Sequence, residues 1–393
     1  MSRREPPDFD GLRPPAPGMT EAHARWRERV RQFVEEHIAP QLESWNRTGT
    51  FPDGLYTRAA EAGILGLGFP EALGGSGDGG GLYDRITVAE EMHRLGSGVV
   101  YADLATHWIA LPPVLRSGHP RLEAEVVRPV LAGAKKMAFA VTEPGGGSDL
   151  SHMQTVAQKK AGDGWRLSGK KTLISGLMRA DYVLTAVRME GGQGGISLFL
   201  VDTAQPGVDR SPVEGLQWYN ASIGTVHFDR VELAPDCLVG AEGGGFRELA
   251  GQFNIERISG VAAALALARA AVAEALAWTR ERETFGKRLV DHQAVRHCLV
   301  DMAGRIRSAY AYLDHCVQRV ESGDPAVADL ALLKTRASAV LERCARDSLH
   351  LLGGRAYAGE ARLERIFRES RIFALGGGTP EVLKDLVARQ WNF

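Results

Sequence analysis

Four stretches carry residue types that chemistry could use. In "RIFALGGGTPEVLKDL", residues 371–386, three glycines stand directly before a short helical pattern. Each costs about 0.5–1 kcal/mol of ordering entropy relative to alanine, so removing every side chain there must serve a purpose. "AVTEPGGGSD", residues 140–149, joins an expected strand to a glycine turn, with the hydroxyls of Thr142 and Ser148 on either side. Successive backbone N–H groups in such a turn form a nest for anionic or carbonyl oxygens, although an ordinary hairpin uses the same residues. "ERETFGKRL", residues 281–289, sets Arg282 and Phe285 one helical turn apart, with Gln293 two turns beyond. A guanidinium beside an aromatic ring suits a phosphate next to a planar base; a solvated arginine beside a core phenylalanine is the plainer alternative. Finally, "QFNIERISG", residues 252–260, opens a long helical pattern with Glu256 and Arg257, and a glutamate on a helix is ordinarily a solvated surface group.

Holding these groups in place requires helices before and after a block of strands. From Thr20 to about Lys136 the apolar period is helical: Trp26, Val30, Phe33, Val34 and Ile38 recur at near-helical spacing behind Thr20 as N-cap, and "FPEALGGSGDGGG" at 69–81 reads as a glycine loop. Around Met137 the pattern changes to short β-branched and aromatic runs divided by Gly, Asp and Asn, among them "MAFAVTEP", "GWRLSGKKTLISG", "ADYVLTAVRM", "GISLFLVDT" and "TVHFDRVELAPDCLV". Helical patterns return near 246–284, 290–322, 325–352 and 380–390. The last of these has Thr379 as N-cap, Pro380 at its first position and Glu381 in its first turn. The expected organisation is multidomain α+β, with a helical domain at 20–136, a compact β domain at 137–240 and a helical domain at 241–393.

Composition narrows the function classes. With 393 residues, the chain can bury more than one core, and 47 basic against 48 acidic residues provide no field for gripping nucleic acid or an anionic membrane. Cys237, Cys298, Cys316 and Cys344 lack the spacing of zinc or redox sites, so no metal is expected and a cytoplasmic setting fits. The longest apolar stretch, "GVAAALALARAAVAEALAW", is interrupted by Arg269 and Glu274 and is alanine-rich, which suits a buried helix better than a membrane span. The first twenty residues, rich in proline and charge, read as a loose arm with neither signal peptide nor anchor.

Taken in order, "FAVTEPGGGSD", "GKKTLISG", "RERETFGKRLVDHQ", "LLGGRAY" and "GGGTPEVLKDLVARQ" resemble the acyl-CoA dehydrogenase family from about residue 20 to the end. The resemblance implies an N-terminal helical domain, a middle β-barrel and a C-terminal four-helix bundle, with FAD between barrel and bundle. It also implies a homotetramer or dimer, an acyl-CoA substrate and an electron-transfer flavoprotein as electron acceptor. By position, Phe139, Val141, Thr142, Gly147 and Ser148 match the strand touching flavin, Ser148 also meeting the pantetheine arm. Leu173 and Ser175 match the next flavin strand; many members carry "WIT" there, so Leu173 removes an aromatic wall. Arg282, Phe285 and Gln293 match contacts to a neighbouring subunit's FAD; His350, Gly353 and Gly354 match a further cofactor-binding loop that usually begins with glutamine where this chain has His350, a hydrogen-bond donor still, and Thr379 and Glu381 also face the flavin site.

Dehydrogenation between Cα and Cβ of a thioester needs a base for the weakly acidic α-proton and donors for the developing enolate oxygen. Many members carry that base in a "YEGT" segment, where this chain has Gly376 to Thr379. The register instead resembles the long-chain and isovaleryl-type members, whose base lies on the bundle helix. That makes Glu256 the candidate base and Gly377 an emptied position whose N–H meets the thioester carbonyl, with Asn254 and Arg257 lining the substrate side. A flavin-dependent oxidase or monooxygenase on the same fold is a second expectation, and a non-enzymatic flavin-binding or nucleic-acid-associated relative a third.

Overall fold

The computed structural model describes residues 8–77, 80–191, 195–214, 222–357 and 362–393, without the side chains of Leu249 and Ala250. Asp78 and Gly79 of the expected glycine loop, and the first seven residues of the expected arm, lie outside the described residues. The chain divides into two compact units, one comprising Met1–Ala39, Gly81–Gly98 and Asn254–Phe393, the other Pro40–Gly80 and Val99–Phe253.

The second unit contains the β structure. Its strands are β1 (Met137–Ala140), β2 (Val156–Lys159), β3 (Trp165–Ile174), β4 (Tyr182–Met189), β5 (Ile196–Asp202), β6 (Val208–Pro212), β7 (Gly224–Leu233) and β8 (Leu238–Val239). They form one sheet in the order β6-β7-β3-β2-β4-β5-β8, with β1 added to β4 in parallel. β5, "ISLFLVD", is a continuous apolar run and is buried along nearly its whole length, whereas β7 alternates buried and exposed positions as a one-sided strand must. The core collects Trp165, Leu167, Val183, Phe199, Val226 and Phe228, with the Trp165 and Phe199 rings edge-to-face at 5.4 Å. β2 and β6 fall outside the sequence expectation because they are short and polar; only their neighbours reveal them as strands.

The first unit is helical. The helix Glu21–His37 begins at Thr20 as expected, the Thr20 N–H donating to His23 Nδ1 at 2.9 Å, and it packs on Leu82–His93. The long helix Gly245–Glu281 buries Ala262 to Ala268 almost completely, so the apolar stretch is a core helix within this fold. Val327–Leu352 packs against Gln293–Glu321, Arg362–Leu375 and Pro380–Gln390. Arg362–Leu375 falls outside the sequence expectation, because charged residues, some of them buried, interrupt its apolar positions Leu363, Ile366 and Ala374. Thr379 caps the final helix, its Oγ1 accepting from the Val382 N–H, and Pro380 takes the first helical position.

The loose-arm expectation fails from Asp8 onward. Phe9, Leu12 and Ala16 are buried, and Phe9 lies 3.9 Å from the Arg269 guanidinium. Arg13 Nε donates to Glu90 Oε1 at 2.7 Å, while Arg27 binds Glu90 and Glu91 together. Burial alone would raise the Glu90 carboxyl, but Arg13, Arg27 and Arg269 pull it down to about 2. The arm is part of the core because its apolar side chains are buried there and Arg13 adds a further cation to the Glu90 network.

Candidate functional site

Within the β unit, the two motif strands lie side by side. The Thr172 N–H donates to the Thr142 carbonyl at 2.9 Å, and Lys171 Nζ reaches the Val141 carbonyl at 3.1 Å and Glu143 Oε1 at 2.8 Å. Glu143 also accepts from the backbone of Gln154 and Thr155 and from the Thr155 hydroxyl, so it anchors both ends of the glycine turn. Burial acts to raise the Glu143 carboxyl, but bonds from Lys171 and Thr155 outweigh it and leave it lowered. Lys171, with no exposed surface, is pushed by that burial down to about 8 against the attraction of Glu143. Neither residue of this buried pair was picked out from sequence, although both stand inside the quoted motifs.

What the pair braces is a surface with unused donors and acceptors. The hydroxyls of Thr142, Ser148 and Ser175 make no hydrogen bond among the described residues, and Gly145 is open on its side-chain face. Leu173 sits on a β-bulge with φ 59°, 60% exposed. A left-handed, exposed leucine gains nothing for the isolated fold, and that strain marks a surface shaped for something else. Phe139 stands half-buried on β1 opposite Leu184, and Val141, Gly147 and Ser148 follow on the same motif.

In the helical unit, a second group assembles. Glu256 is half-buried on the long helix and has neither hydrogen bond nor ion pair among the described residues. Burial raises its pKa above the ordinary carboxylate value, opposed by the charges of Arg257 and Lys334. Arg257 donates to Asn254 Oδ1 at 2.9 Å, while its Nε is buried with no acceptor among the described residues. Lys334, 7% exposed, is the residue that sequence reasoning missed: Nζ donates to the Gly378 carbonyl at 2.5 Å and to the Ala374 carbonyl at 3.3 Å. It therefore fixes the triple-glycine turn, and its charge acts on Glu256. Burial, then the Arg257 charge, push Lys334 down to about 8, with Glu256 opposing.

The turn itself answers part of the glycine question through conformation. The Gly376 N–H closes the preceding helix on the Ile372 carbonyl at 2.7 Å, and Gly377 and Gly378 follow at φ 68° and 103°. Left-handed backbone there disfavours any side chain, a reason for glycine independent of chemistry. Space agrees with it: a Cβ on Gly377 would meet nothing within 4 Å, and the Gly377 N–H has no acceptor among the described residues. Thr379 and Glu381 come next, Thr379 committed to the cap and Glu381 exposed.

Arg282, Phe285 and Gln293 form a separate exposed group. Arg282 and Gln293 flank a hairpin between the long helix and Gln293–Glu321, and Phe285 lies in its turn, 97% exposed at φ 52°. The next helix runs back antiparallel, so His350, Gly353 and Gly354 lie at that same end of the unit. From Glu256 to the helix end at Glu281 is 25 residues, about 38 Å at 1.5 Å per residue. The structure thus keeps Glu256 apart from Arg282 within one chain.

Sequence models of three consecutive domains match this chain: acyl-CoA dehydrogenase N-terminal domain over residues 20–134, middle domain over 138–231 and C-terminal domain over 243–391. The chain belongs to the acyl-CoA dehydrogenase family. It is accordingly a flavoprotein oxidoreductase with that family's fold. A Mycobacterium smegmatis structure ascribed to an acyl-CoA dehydrogenase is 39% identical, covering 95% of this chain and 99% of its own, with TM-score 0.91. Butyryl-CoA dehydrogenase from Megasphaera elsdenii is 27% identical over 96% and 99%, with TM-score 0.89. The CarC subunit of the caffeyl-CoA reductase-Etf complex from Acetobacterium woodii is 28% identical over 92% of this chain and 96% of its own.

Proposed function

We propose that this acyl-CoA dehydrogenase family member uses FAD to introduce a trans double bond between Cα and Cβ of an acyl-CoA thioester, with Glu256 taking the α-proton. The observation that carries this reading is Glu256 itself: a half-buried carboxylate, raised by burial and without a partner among the described residues, under the charge of Lys334, which holds the turn where position 377 is open. A carboxylate kept unpaired at that cost is suited to receive a proton, and its raised pKa strengthens it as a base.

The residues present fit FAD. On the β unit, unsatisfied Thr142 and Ser175 hydroxyls and the exposed, strained Leu173 border one surface, offering hydrogen bonds to a heteroaromatic edge and an apolar contact to a ring. When bound, FAD supplies the acceptor for the hydride leaving Cβ. The protein's share is acid–base and orienting work. Glu256 takes the proton from Cα; the Gly377 N–H donates to the thioester oxygen as negative charge grows there; Arg257 offers its unpaired Nε–H to a polar group of the substrate; Ser148 binds the pantetheine arm.

Arg282, Phe285, Gln293 and His350 belong, in this reading, to the flavin of a second copy, because a site at Glu256 is about 38 Å away along a rigid helix. An electron-transfer flavoprotein is the proposed acceptor, supported by the Etf complex to which CarC belongs. That relative, named a reductase, also favours asking whether the chain runs the same chemistry toward the saturated thioester. Glu256→Gln tests the main reading: it should keep FAD and bind acyl-CoA, yet lose anaerobic flavin bleaching by at least about 10²-fold across a C4–C16 panel. Unchanged bleaching removes Glu256 as base, and rapid peroxide formation in air identifies an oxidase instead.

A further inference from the structure

We propose that Lys334 is a positioning residue for the reaction, its ammonium group fixing the Gly376–Gly378 turn through two carbonyls while keeping a positive charge beside Glu256. The inference rests on the dehydrogenase reading above and assigns a role to a residue that neither touches substrate nor stands in any of the motifs.

Geometry carries it. Lys334 comes from the first third of the Val327–Leu352 helix and is nearly enclosed, and burying an ammonium is costly unless its hydrogens are bonded. Two of its three donors are used on the Ala374 and Gly378 carbonyls, one on each side of Gly376 and Gly377. The turn has no side chain of its own with which to hold a shape, and Gly377 and Gly378 both occupy left-handed backbone, a region with many competing glycine conformations. A methyl-ended side chain at 334 would fill the volume but release both carbonyls. The Gly377 N–H would then lose its fixed direction, and an oxyanion donor is worth most when it is already in place.

The second half of the role is electrostatic. The charged groups acting on Lys334 are Glu256 and Arg257, both from the long helix; on Glu256 they are Arg257 and Lys334. The glycine turn presents only backbone, and at the start of the final helix Glu381 is drawn to Lys384 rather than to Lys334. Removing the Lys334 charge leaves Arg257 alone against the burial that raises Glu256. Protonated Glu256 cannot accept the α-proton, so the acid limb of the rate profile must move up.

The experiment uses full-length holoenzyme in three forms: wild type, Lys334→Met and Lys334→Arg. Flavin bleaching is followed from pH 5.5 to 9.5, with hydrogen exchange of the peptide spanning 374–380. Lys334→Met should slow bleaching by about 10–100-fold, raise the acid limb by about one pH unit and speed exchange in the 374–380 peptide. Lys334→Arg keeps the charge and should restore the acid limb without restoring the full rate. A purely structural lysine would lower the rate equally at every pH, and that outcome overturns the proposal. So does a folded Lys334→Met with wild-type exchange at 374–380. If neither variant folds, Lys334→Gln takes their place, and an unmoved acid limb with wild-type exchange at 374–380 overturns the proposal. Wild-type bleaching lost in Glu256→Gln but unmoved by Lys334 substitution would sink this inference alone; wild type that no acyl-CoA bleaches would sink the dehydrogenase reading first and this one with it.

Discussion

Replacing Gly377 separates the two reasons for a glycine there. A Cβ at this position meets nothing within 4 Å, so Gly377→Ala introduces no clash and only forces alanine into left-handed backbone at φ 68°. That conformation costs roughly 1–2 kcal/mol. Even if all of it appeared as a misplaced N–H in the transition state, bleaching would slow by no more than about 5–30-fold. Gly377→Glu carries the same backbone cost and adds a carboxylate. If it stands about 6 Å from Glu256 at an effective dielectric near 20, the two repel by about 2.8 kcal/mol, which moves one pKa up by about two units. Stopped-flow bleaching under anaerobic conditions from pH 5.5 to 9 should therefore show Gly377→Ala near the wild-type profile and Gly377→Glu with its acid limb displaced upward. A folded, FAD-loaded Gly377→Glu whose acid limb stays put would mean that position 377 does not face Glu256, and the pairing of these residues would be refuted. A loss beyond about 10³-fold in Gly377→Ala would refute the claim of open space.

Two stability predictions concern groups outside the reaction. Glu369 is buried, accepts from the Gly98 N–H at 2.8 Å, and is raised by burial to about 7, so between pH 4.5 and 7 the folded state holds a proton that the unfolded chain releases. Its stabilising contribution is complete below pH 4.5 and fades as pH rises through 7, a span of about 3 kcal/mol. Glu369→Gln should keep the bond to Gly98 and flatten that slope, raising the unfolding temperature at pH 8 but not at pH 4.5; identical slopes would count against it. Arg13→Ala removes one of the cations on Glu90 and the near neighbour of Asp314, and should cost about 3–5 kcal/mol in denaturant unfolding. A change under 0.5 kcal/mol would return the arm to the status of a loose tail.

The fold was readable because period and propensity agree over long segments: the alanine-rich helix, the apolar β5 run and the Thr379–Pro380 start all fall where their residues put them. Legibility failed where partners far apart in sequence override local character. "PPDFDGLRPPAPG" has the composition of a disordered arm, and nothing local says that Arg269 awaits Phe9 or that Glu90 awaits Arg13. Glu256 drew attention through motif register, whereas Lys334 looks like any lysine on an amphipathic helix until burial and two carbonyls distinguish it. Glycine at 377 was readable as missing a side chain, but its left-handed backbone is a property of coordinates alone. At Leu173 the residue could be flagged as a departure; the bulge that holds it exposed and strained depends on the register of β3 against β7.

The buried arm also sets an order of events during synthesis. Phe9 and Arg13 are translated well before their partner, because the Arg269 that donates to the Phe9 carbonyl lies 260 residues later. At about 5–20 residues per second, this segment waits roughly 13–50 s for that arginine. Throughout that interval the nascent chain exposes the Phe9 ring and the Arg13 guanidinium that the folded protein hides. A protease or a chaperone present in that window meets a segment that the finished fold no longer offers.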